Sequence, residues 1–184
     1  MRILQVHNYY ITDGGEEVVV KNERRLLEEH SHQVLEFSKD NHSLSLFDKL
    51  KQVFSTHYSR RVKQEFAAFL KTHSVDVIHV HNTFPQITLS ILDAAEAQNI
   101  PVIFTLHNYH LVYPNGLLYH NGRIDERSLK GSAYECVWDG VYRNSVFLTA
   151  IVAHLIEYHR KKNTWSTKVD QFITPTNFAK KKTN

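Results

Sequence analysis

RILQVH, residues 2–7, is a short and largely apolar run, and GGEEVVV, residues 14–20, begins with paired glycines. A strand followed by a loop and then by glycines at the start of a helix is typical of nucleotide-binding α/β domains, because glycine lets backbone N–H groups approach an anion. The G-x-G-x-x-G spacing is absent, which disfavours a dinucleotide site. Glu16 and Glu17 suit the positive end of a helix dipole and would compete with a bound phosphate. An ordinary strand-to-helix turn therefore stays open as an alternative.

Length and composition predict one domain over 1–184, because 184 residues that are 42% hydrophobic suffice for one core. Cys136 is the single cysteine, which excludes an internal disulfide framework and a multi-thiolate zinc site and fits a reducing cytoplasm. The amino terminus has no apolar stretch long enough for a signal peptide or a membrane span, so we expect a soluble cytoplasmic protein. The net charge of +3 is concentrated in short clusters and not on an aromatic-studded face, so nucleic-acid binding is not indicated.

Hydrophobic periodicity predicts alternating strands and helices. The predicted strands are 2–7, 32–38, 76–81, 101–106 and 169–174, and the predicted helices are 16–30, 46–54, 58–73, 87–98 and 144–162. We expect 39–45 to be a loop, 46–54 to form part of a flap, and Thr176 to cap a short final helix. This alternation predicts an α/β fold with a doubly wound, mostly parallel sheet. From 107 to 142 the pattern stops, and a structureless segment of that length is usually functional or wrongly assigned.

Histidines follow or end three of the predicted strands, where ligands of open α/β sheets bind. These groups are His7 with Asn8, His79 and His81 with Asn82, and His107 with Asn108, Tyr109 and His110. Thirteen histidines are present, so some of them satisfy hydrogen bonds without having a function. His79 and His81 lie two residues apart and face one side of a regular strand, which is a spacing that suits a metal. Because no Asp or Glu accompanies them at ligand spacing, we expect no metal site.

Several motifs, in this order and spacing, resemble the amino-terminal domain of family-four glycosyltransferases of the GT-B fold. They are RILQVH with Gly14-Gly15, DVIHVHN at 76–82, TLHNY at 105–109 leading to YPNG at 113–116, GVYRNS at 140–145 and FITPTNFA at 172–179. The resemblance covers essentially the whole chain. It implies a Rossmann-like domain, the amino-terminal half of an enzyme whose two domains close over a cleft.

The same resemblance implies a function for individual residues. The enzyme would transfer a sugar, with retention of configuration, from a nucleotide-sugar donor to a glycan or lipid-linked acceptor, as in polysaccharide biosynthesis. No cofactor is implied, because the nucleotide sugar is a substrate. His107 is the candidate catalytic residue, since an imidazole or its backbone carbonyl can stabilise positive charge at the anomeric carbon or orient the acceptor hydroxyl. The candidate substrate-binding residues are Gly14, Gly15, Glu16, His81, Asn82, Asn108, Tyr109 and Asn115.

Two departures from the family pattern bear on this reading. Relatives often carry several cysteines in the long loop, and here Cys136 alone remains, with Asp125, Ser128 and Val141 at the other positions. The chain also ends at Asn184, where the donor-binding domain should begin. We therefore expect an acceptor-side domain that is inactive without a carboxyl-terminal domain or a separate subunit.

Three alternatives stay open at this stage. A non-catalytic module of the same fold could recognise a glycan or a glycosyltransferase, and a metal-dependent hydrolase could use the histidines. Finally, the helix from 144 could rest its apolar face and basic end, 160–162, on the inner face of the membrane, or it could simply pack on the sheet.

Overall fold

The computed structural model describes residues 1–9, 14–40 and 57–183, and their contacts divide them into two compact units. The first unit comprises Met1–Thr105 and Ser166–Ile173, and the second comprises Leu106–Trp165 and Thr174–Asn184. The sequence predicts one domain over 1–184, and that stays a prediction. The predicted helix at 46–54 and most of the predicted loop at 39–45 lie outside the described residues.

A five-stranded parallel sheet forms the centre of the first unit. Its strands are β1 (Arg2–Tyr9), β2 (Gln33–Asp40), β3 (Val77–Asn82), β4 (Val102–Thr105) and β7 (Gln171–Ile173), in the order β2-β1-β3-β4-β7. All six residues of β3 are buried, including His79, His81 and Asn82, which agrees with a sheet covered on both faces. The predicted α/β, Rossmann-like class is confirmed.

Three described helices belong to the first unit: α1 (Gly15–Glu29), α2 (Arg60–Thr72) and α3 (Ser90–Glu96). Ser59 caps α2 by accepting a hydrogen bond from the Val62 N–H at 3.3 Å. The buried residues of α2 recur every four positions, at Val62, Phe66 and Leu70, as expected for one helix face on a core. By contrast, α3 begins three residues later than predicted, because Thr88 adopts a φ of 43°, which is incompatible with a right-handed helix.

The second unit begins with the segment that the sequence analysis left without structure. It contains β5 (Tyr119–His120), β6 (Arg123–Ile124), α4 (Arg127–Lys130) and a 3₁₀ helix at Ala133–Cys136. Tyr113, Leu118, Cys136 and Val141 form a buried cluster within it. Sequence periodicity missed these elements of 107–142 because they are two to four residues long, too short to show a period.

Three further helices follow in the described part of the chain: α5 (Val146–Lys161), α6 (Thr164–Lys168) and α7 (Asn177–Thr183). α5 buries Thr149, Val152, Ala153, Ile156 and His159, a stripe of helical spacing. Thr176 accepts a hydrogen bond from the Ala179 N–H at 3.1 Å, which confirms the predicted cap of α7. Among the described residues, no helix is both long and apolar enough to span a bilayer.

Candidate functional site

The carboxyl ends of β1 and β3 are joined through two asparagines. The Asn82 side-chain amide donates to the Asn8 carbonyl oxygen at 3.1 Å, and its Oδ1 accepts from the Phe84 N–H at 3.0 Å. The Asn8 side chain accepts from the Gln86 N–H at 3.1 Å. Asn82 thus lies at the predicted edge of the sheet, where its amide nitrogen bonds to β1 and its Oδ1 holds the turn that follows β3.

The amino terminus of α1 is capped by its own glutamate. The Gly14 N–H donates to Oε2 of Glu17 at 2.7 Å, and Oε1 of the same carboxylate lies 3.8 Å from Nε2 of His7. Both side chains are fully buried. A carboxylate in this position compensates the positive end of the helix dipole. Sequence reasoning missed the Glu17–His7 pair, although a glutamate three residues after a helix cap is the capping-box signal.

The two glycines differ in their surroundings. Gly14 has φ −122° and ψ −172°, an extended conformation open to any residue, and a Cβ there would lie 3.2 Å from the Glu17 carboxylate. Within the part of the chain that the structure describes, a Cβ on Gly15 would meet no atom within 4 Å. The Gly14 N–H is therefore bonded to a side chain of the protein itself, whereas Gly15 has no such contact with the described residues, and Glu16 beside it is half-buried.

β3 and α1 bring His79, His81 and Glu23 together on one face of the sheet. Nδ1 of His79 lies 2.8 Å from Oε1 of Glu23, and Nε2 of His81 lies 3.4 Å from Oε2. The other ring nitrogen of His79 is 2.8 Å from Oγ1 of Thr105 at the end of β4. The expectation that no carboxylate accompanies the two histidines is wrong, because Glu23 of α1 contacts both of them in the folded chain.

In the second unit, Asn108 and Asn115 shape the chain after β4. Oδ1 of Asn108 accepts from the His110 N–H at 3.0 Å, and Oδ1 of Asn115 accepts from the Leu117 N–H at 2.9 Å. These two-residue contacts are the local turns that asparagine favours. His107 is half-buried, as are both asparagines.

Tyr109 and His110 continue this segment. The Tyr109 carbonyl accepts from the Tyr113 N–H at 2.8 Å, and its ring meets the Phe178 ring edge-on at 6.5 Å. Burial lowers the pKa of His110 to about 4, so that imidazole is neutral near pH 7. A neutral imidazole keeps one ring nitrogen as an acceptor and one as a donor.

An ionic network that the sequence did not predict holds the second unit together. The buried Tyr113 hydroxyl donates to Asp125 at 2.8 Å, and Nε and Nη2 of Arg127 donate to the same carboxylate at 2.9 and 2.6 Å. The Arg127 guanidinium holds the pKa of Asp125 well below its usual range, with the Tyr113 hydroxyl adding to the effect. Arg127 also contacts Asp139 at 2.6 Å. Spacing alone could not reveal this network, since Tyr113 is twelve residues from Asp125.

The predicted site residues are thus divided between the two units. Gly14, Gly15, Glu16, His81 and Asn82 belong to the first, and His107, Asn108, Tyr109 and Asn115 belong to the second. A parallel sheet, a helix whose amino terminus follows the first strand, and polar groups at the carboxyl ends of adjacent strands define the class of Rossmann-like ligand-binding domains.

Comparison with known families narrows this class. The sequence model of the glycosyl transferase 4-like domain matches residues 41–172, which is most of the chain. The protein therefore belongs to the glycosyl transferase 4-like domain family. The match includes His81, Asn82, His107 and Asn115 and leaves out β1 and the paired glycines. No curated protein matches the chain.

Proposed function

We propose that this chain is the acceptor-side domain of a retaining, nucleotide-sugar-dependent glycosyltransferase. The observation that carries the proposal is the family match over residues 41–172, which includes the segment around His107. The donor nucleotide sugar is a substrate in this proposal, and no resident cofactor takes part. The acceptor is a glycan or a lipid-linked glycan of polysaccharide biosynthesis.

Sugar transfer develops positive charge at the anomeric carbon and negative charge on the departing diphosphate. His107 would stabilise the positive charge at the anomeric carbon, through its imidazole or its backbone carbonyl, and would orient the acceptor hydroxyl. Gly15 would stabilise the negative charge on the diphosphate, because a helix amino terminus attracts anions and no atom of the described residues lies within 4 Å of a Cβ built there. The Gly14 N–H is already bonded to the Glu17 carboxylate, so the diphosphate would approach Gly15.

The proposal requires a donor-binding domain, on the same chain or on a separate subunit. Holding two reactants in one geometry contributes roughly 7–11 kcal/mol to barrier lowering, and a domain that binds one of them forfeits that contribution. The 184-residue chain by itself should therefore transfer no sugar at a measurable rate and should bind nucleotide sugars weakly.

The test is an assay of donor consumption with and without an added donor-binding domain of a family-four glycosyltransferase. We expect turnover only with both domains present, and we expect His107→Ala to reduce it while His154→Ala, an exposed histidine of the same unit, leaves it unchanged. Turnover by the chain alone would refute the two-domain proposal. Binding of a glycan without turnover in either arrangement would favour the non-catalytic module. Hydrolysis that depends on an added metal would favour the hydrolase.

We infer, as a second property, a peripheral contact of the second unit with an anionic membrane. The buried stripe of α5 shows that this helix packs within its unit, so the contact would use other residues. Trp138 is 85% exposed and Phe147 is 60% exposed, and exposed aromatic side chains favour the interface of a bilayer. Lys161 and Lys162 are exposed at the end of α5 and would supply the charge.

Fluorescence of Trp138 tests this contact. In a Trp165→Phe background, anionic vesicles should shift its emission to the blue, and high salt should reverse the shift. Lys161→Gln with Lys162→Gln should weaken binding, whereas Lys71→Gln, an exposed lysine of the first unit, should not. The absence of a salt-sensitive shift would refute the membrane contact.

A further inference from the structure

We propose that Glu23, His79 and His81 form a binding site for a zinc-class divalent ion that fastens α1 to β3. The inference goes beyond the proposed transferase activity and does not depend on it. Within 1–9, 14–40 and 57–183, these three residues form a group of histidine, cysteine or carboxylate side chains whose donor atoms all lie within 4.8 Å of one another.

The backbone provides the arrangement of the two histidines. His79 and His81 alternate with Val80 on β3, so both imidazoles project from the same face of the sheet. Their ring centroids lie 4.3 Å apart with 33° between the planes. Two nitrogen donors are therefore presented side by side by a central strand, which is a rigid support for a metal site.

Glu23 supplies the third donor from a different element. Its two oxygens lie 2.8 Å from Nδ1 of His79 and 3.4 Å from Nε2 of His81. An ion about 2.0–2.2 Å from each donor in tetrahedral geometry needs donors roughly 3.4 Å apart. The observed spacing thus fits such an ion after small side-chain rotations.

The hydrogen bond on the far side of His79 agrees with metal binding at Nδ1. Nε2 of His79 lies 2.8 Å from Oγ1 of Thr105. A metal on Nδ1 leaves the proton on Nε2, and Nε2–H would then donate to that hydroxyl. Metal-bound histidines usually have such an oxygen partner, which fixes the ring orientation and the tautomer.

The chemistry of the donors selects the ion. Two imidazoles and one carboxylate suit Zn²⁺ and related transition ions, whereas Mg²⁺ and Ca²⁺ prefer oxygen donors alone. The fourth position would be taken by water, which can reach the site because the Glu23 side chain is 25% exposed. The side chains of His79 and His81 are 6% and 0% exposed, so the ion would lie largely inside the fold. Because its donors come from α1 and β3, it would hold α1 in place on the sheet.

The test uses the full chain after chelation and dialysis. We expect one equivalent of Co²⁺ to give the visible absorption of a tetrahedral site, and an excess of Zn²⁺ to raise the unfolding midpoint by roughly 5–10 °C at saturation. Mg²⁺ should have no effect. Glu23→Gln should weaken affinity by at least roughly 100-fold, and Thr105→Val by roughly 10-fold.

Two matched controls separate this site from surface histidines. Glu28→Gln changes an exposed glutamate of the same helix and should leave the affinity unchanged, as should His30→Ala at the exposed end of α1. Circular dichroism of each metal-free variant establishes that it folds, and His81→Asn serves if Glu23→Gln does not. A wild-type chain without a Co²⁺ band or a Zn²⁺-dependent shift would overturn the proposal. So would a shift of the same size in Glu23→Gln or His81→Asn.

Discussion

Removal of the Asp125 carboxylate should disorder the segment between β4 and α5. Asp125→Ala removes the carboxylate that accepts a hydrogen bond from the Tyr113 hydroxyl and that forms an ion pair with Arg127. Tyr113 is 0% exposed. The first loss leaves a buried donor without a partner, which costs about 1–3 kcal/mol. The second is worth at most about 1 kcal/mol, because the Arg127 side chain is 38% exposed and solvent screens the pair. The expected total is about 1–4 kcal/mol for the second unit.

Hydrogen exchange is the appropriate measurement, because it reports on 107–142 separately from the sheet. Peptides of this segment should lose protection in Asp125→Ala, while those from β1 and β3 should keep it. The matched control is Asp139→Ala, which removes a 44% exposed carboxylate from the same Arg127 and should cost less than about 1 kcal/mol. Tyr113→Phe should cost about 1 kcal/mol in the wild type but should raise the stability of Asp125→Ala, since it removes the buried hydroxyl that has lost its acceptor.

The Asp125 carboxylate should also make the stability of the second unit depend on pH. Because its pKa is lower in the folded than in the unfolded chain, it contributes stability that is present above the unfolded pKa of about 3.9 and lost as the pH falls from there through the folded value. Protection of the segment should decline below about pH 4 in the wild type, and this decline should be smaller in Asp125→Ala. Equal losses in Asp125→Ala and Asp139→Ala would refute the reasoning.

Three further perturbations have definite outcomes. Phe66→Ala, which empties a fully buried site against the Phe37 ring, should lower the free energy of unfolding of the first unit by about 3–5 kcal/mol in urea. Gly116→Ala should destabilise the second unit by more than Gly122→Ala in the same assay. Both glycines have positive φ, but a Cβ on Gly116 would lie 2.9 Å from the His110 ring, whereas a Cβ on Gly122 would meet no atom of the described residues within 4 Å. The His110 pKa of about 4 lies below the unfolded value of about 6.5, so stability of the second unit should fall as the pH drops from 6.5 to 4, and His110→Gln should flatten that part of the profile.

Sequence periodicity predicted the elements that bury a continuous face. α2 carries a stripe of period four, and β3 contains the apolar residues Val77, Ile78 and Val80; both elements were predicted to within two residues at each end. The hairpin of β5 and β6 was missed, although Asn121-Gly122 between them, both at positive φ, is a strong two-residue turn signal. Elements of two residues carry no period, and only their turn chemistry could have revealed them.

The candidate site was predictable only where it depends on strand order. Asn82 follows from the rule that ligand-binding residues lie at the carboxyl ends of parallel strands. The contact of Glu23 with His79 depends on how α1 is rotated and shifted over β3, and the two residues lie 56 positions apart with no local signal for the contact. The Tyr113–Asp125 bond arises in the same way from tertiary packing.

The Glu17 cap at the start of α1 limits how the paired glycines, Gly14 and Gly15, can bind an anion. While the Glu17 carboxylate accepts from the Gly14 N–H, a second anion at that amide would face a buried negative charge at close range. In the proposed transferase, a donor diphosphate would have to displace Glu17 or approach Gly15 alone, and displacement would leave Glu17 buried 3.8 Å from His7 with one hydrogen bond fewer. Both routes would weaken donor binding at these glycines. The proposal of an acceptor-side domain therefore requires that the strong donor contacts come from residues outside this helix terminus.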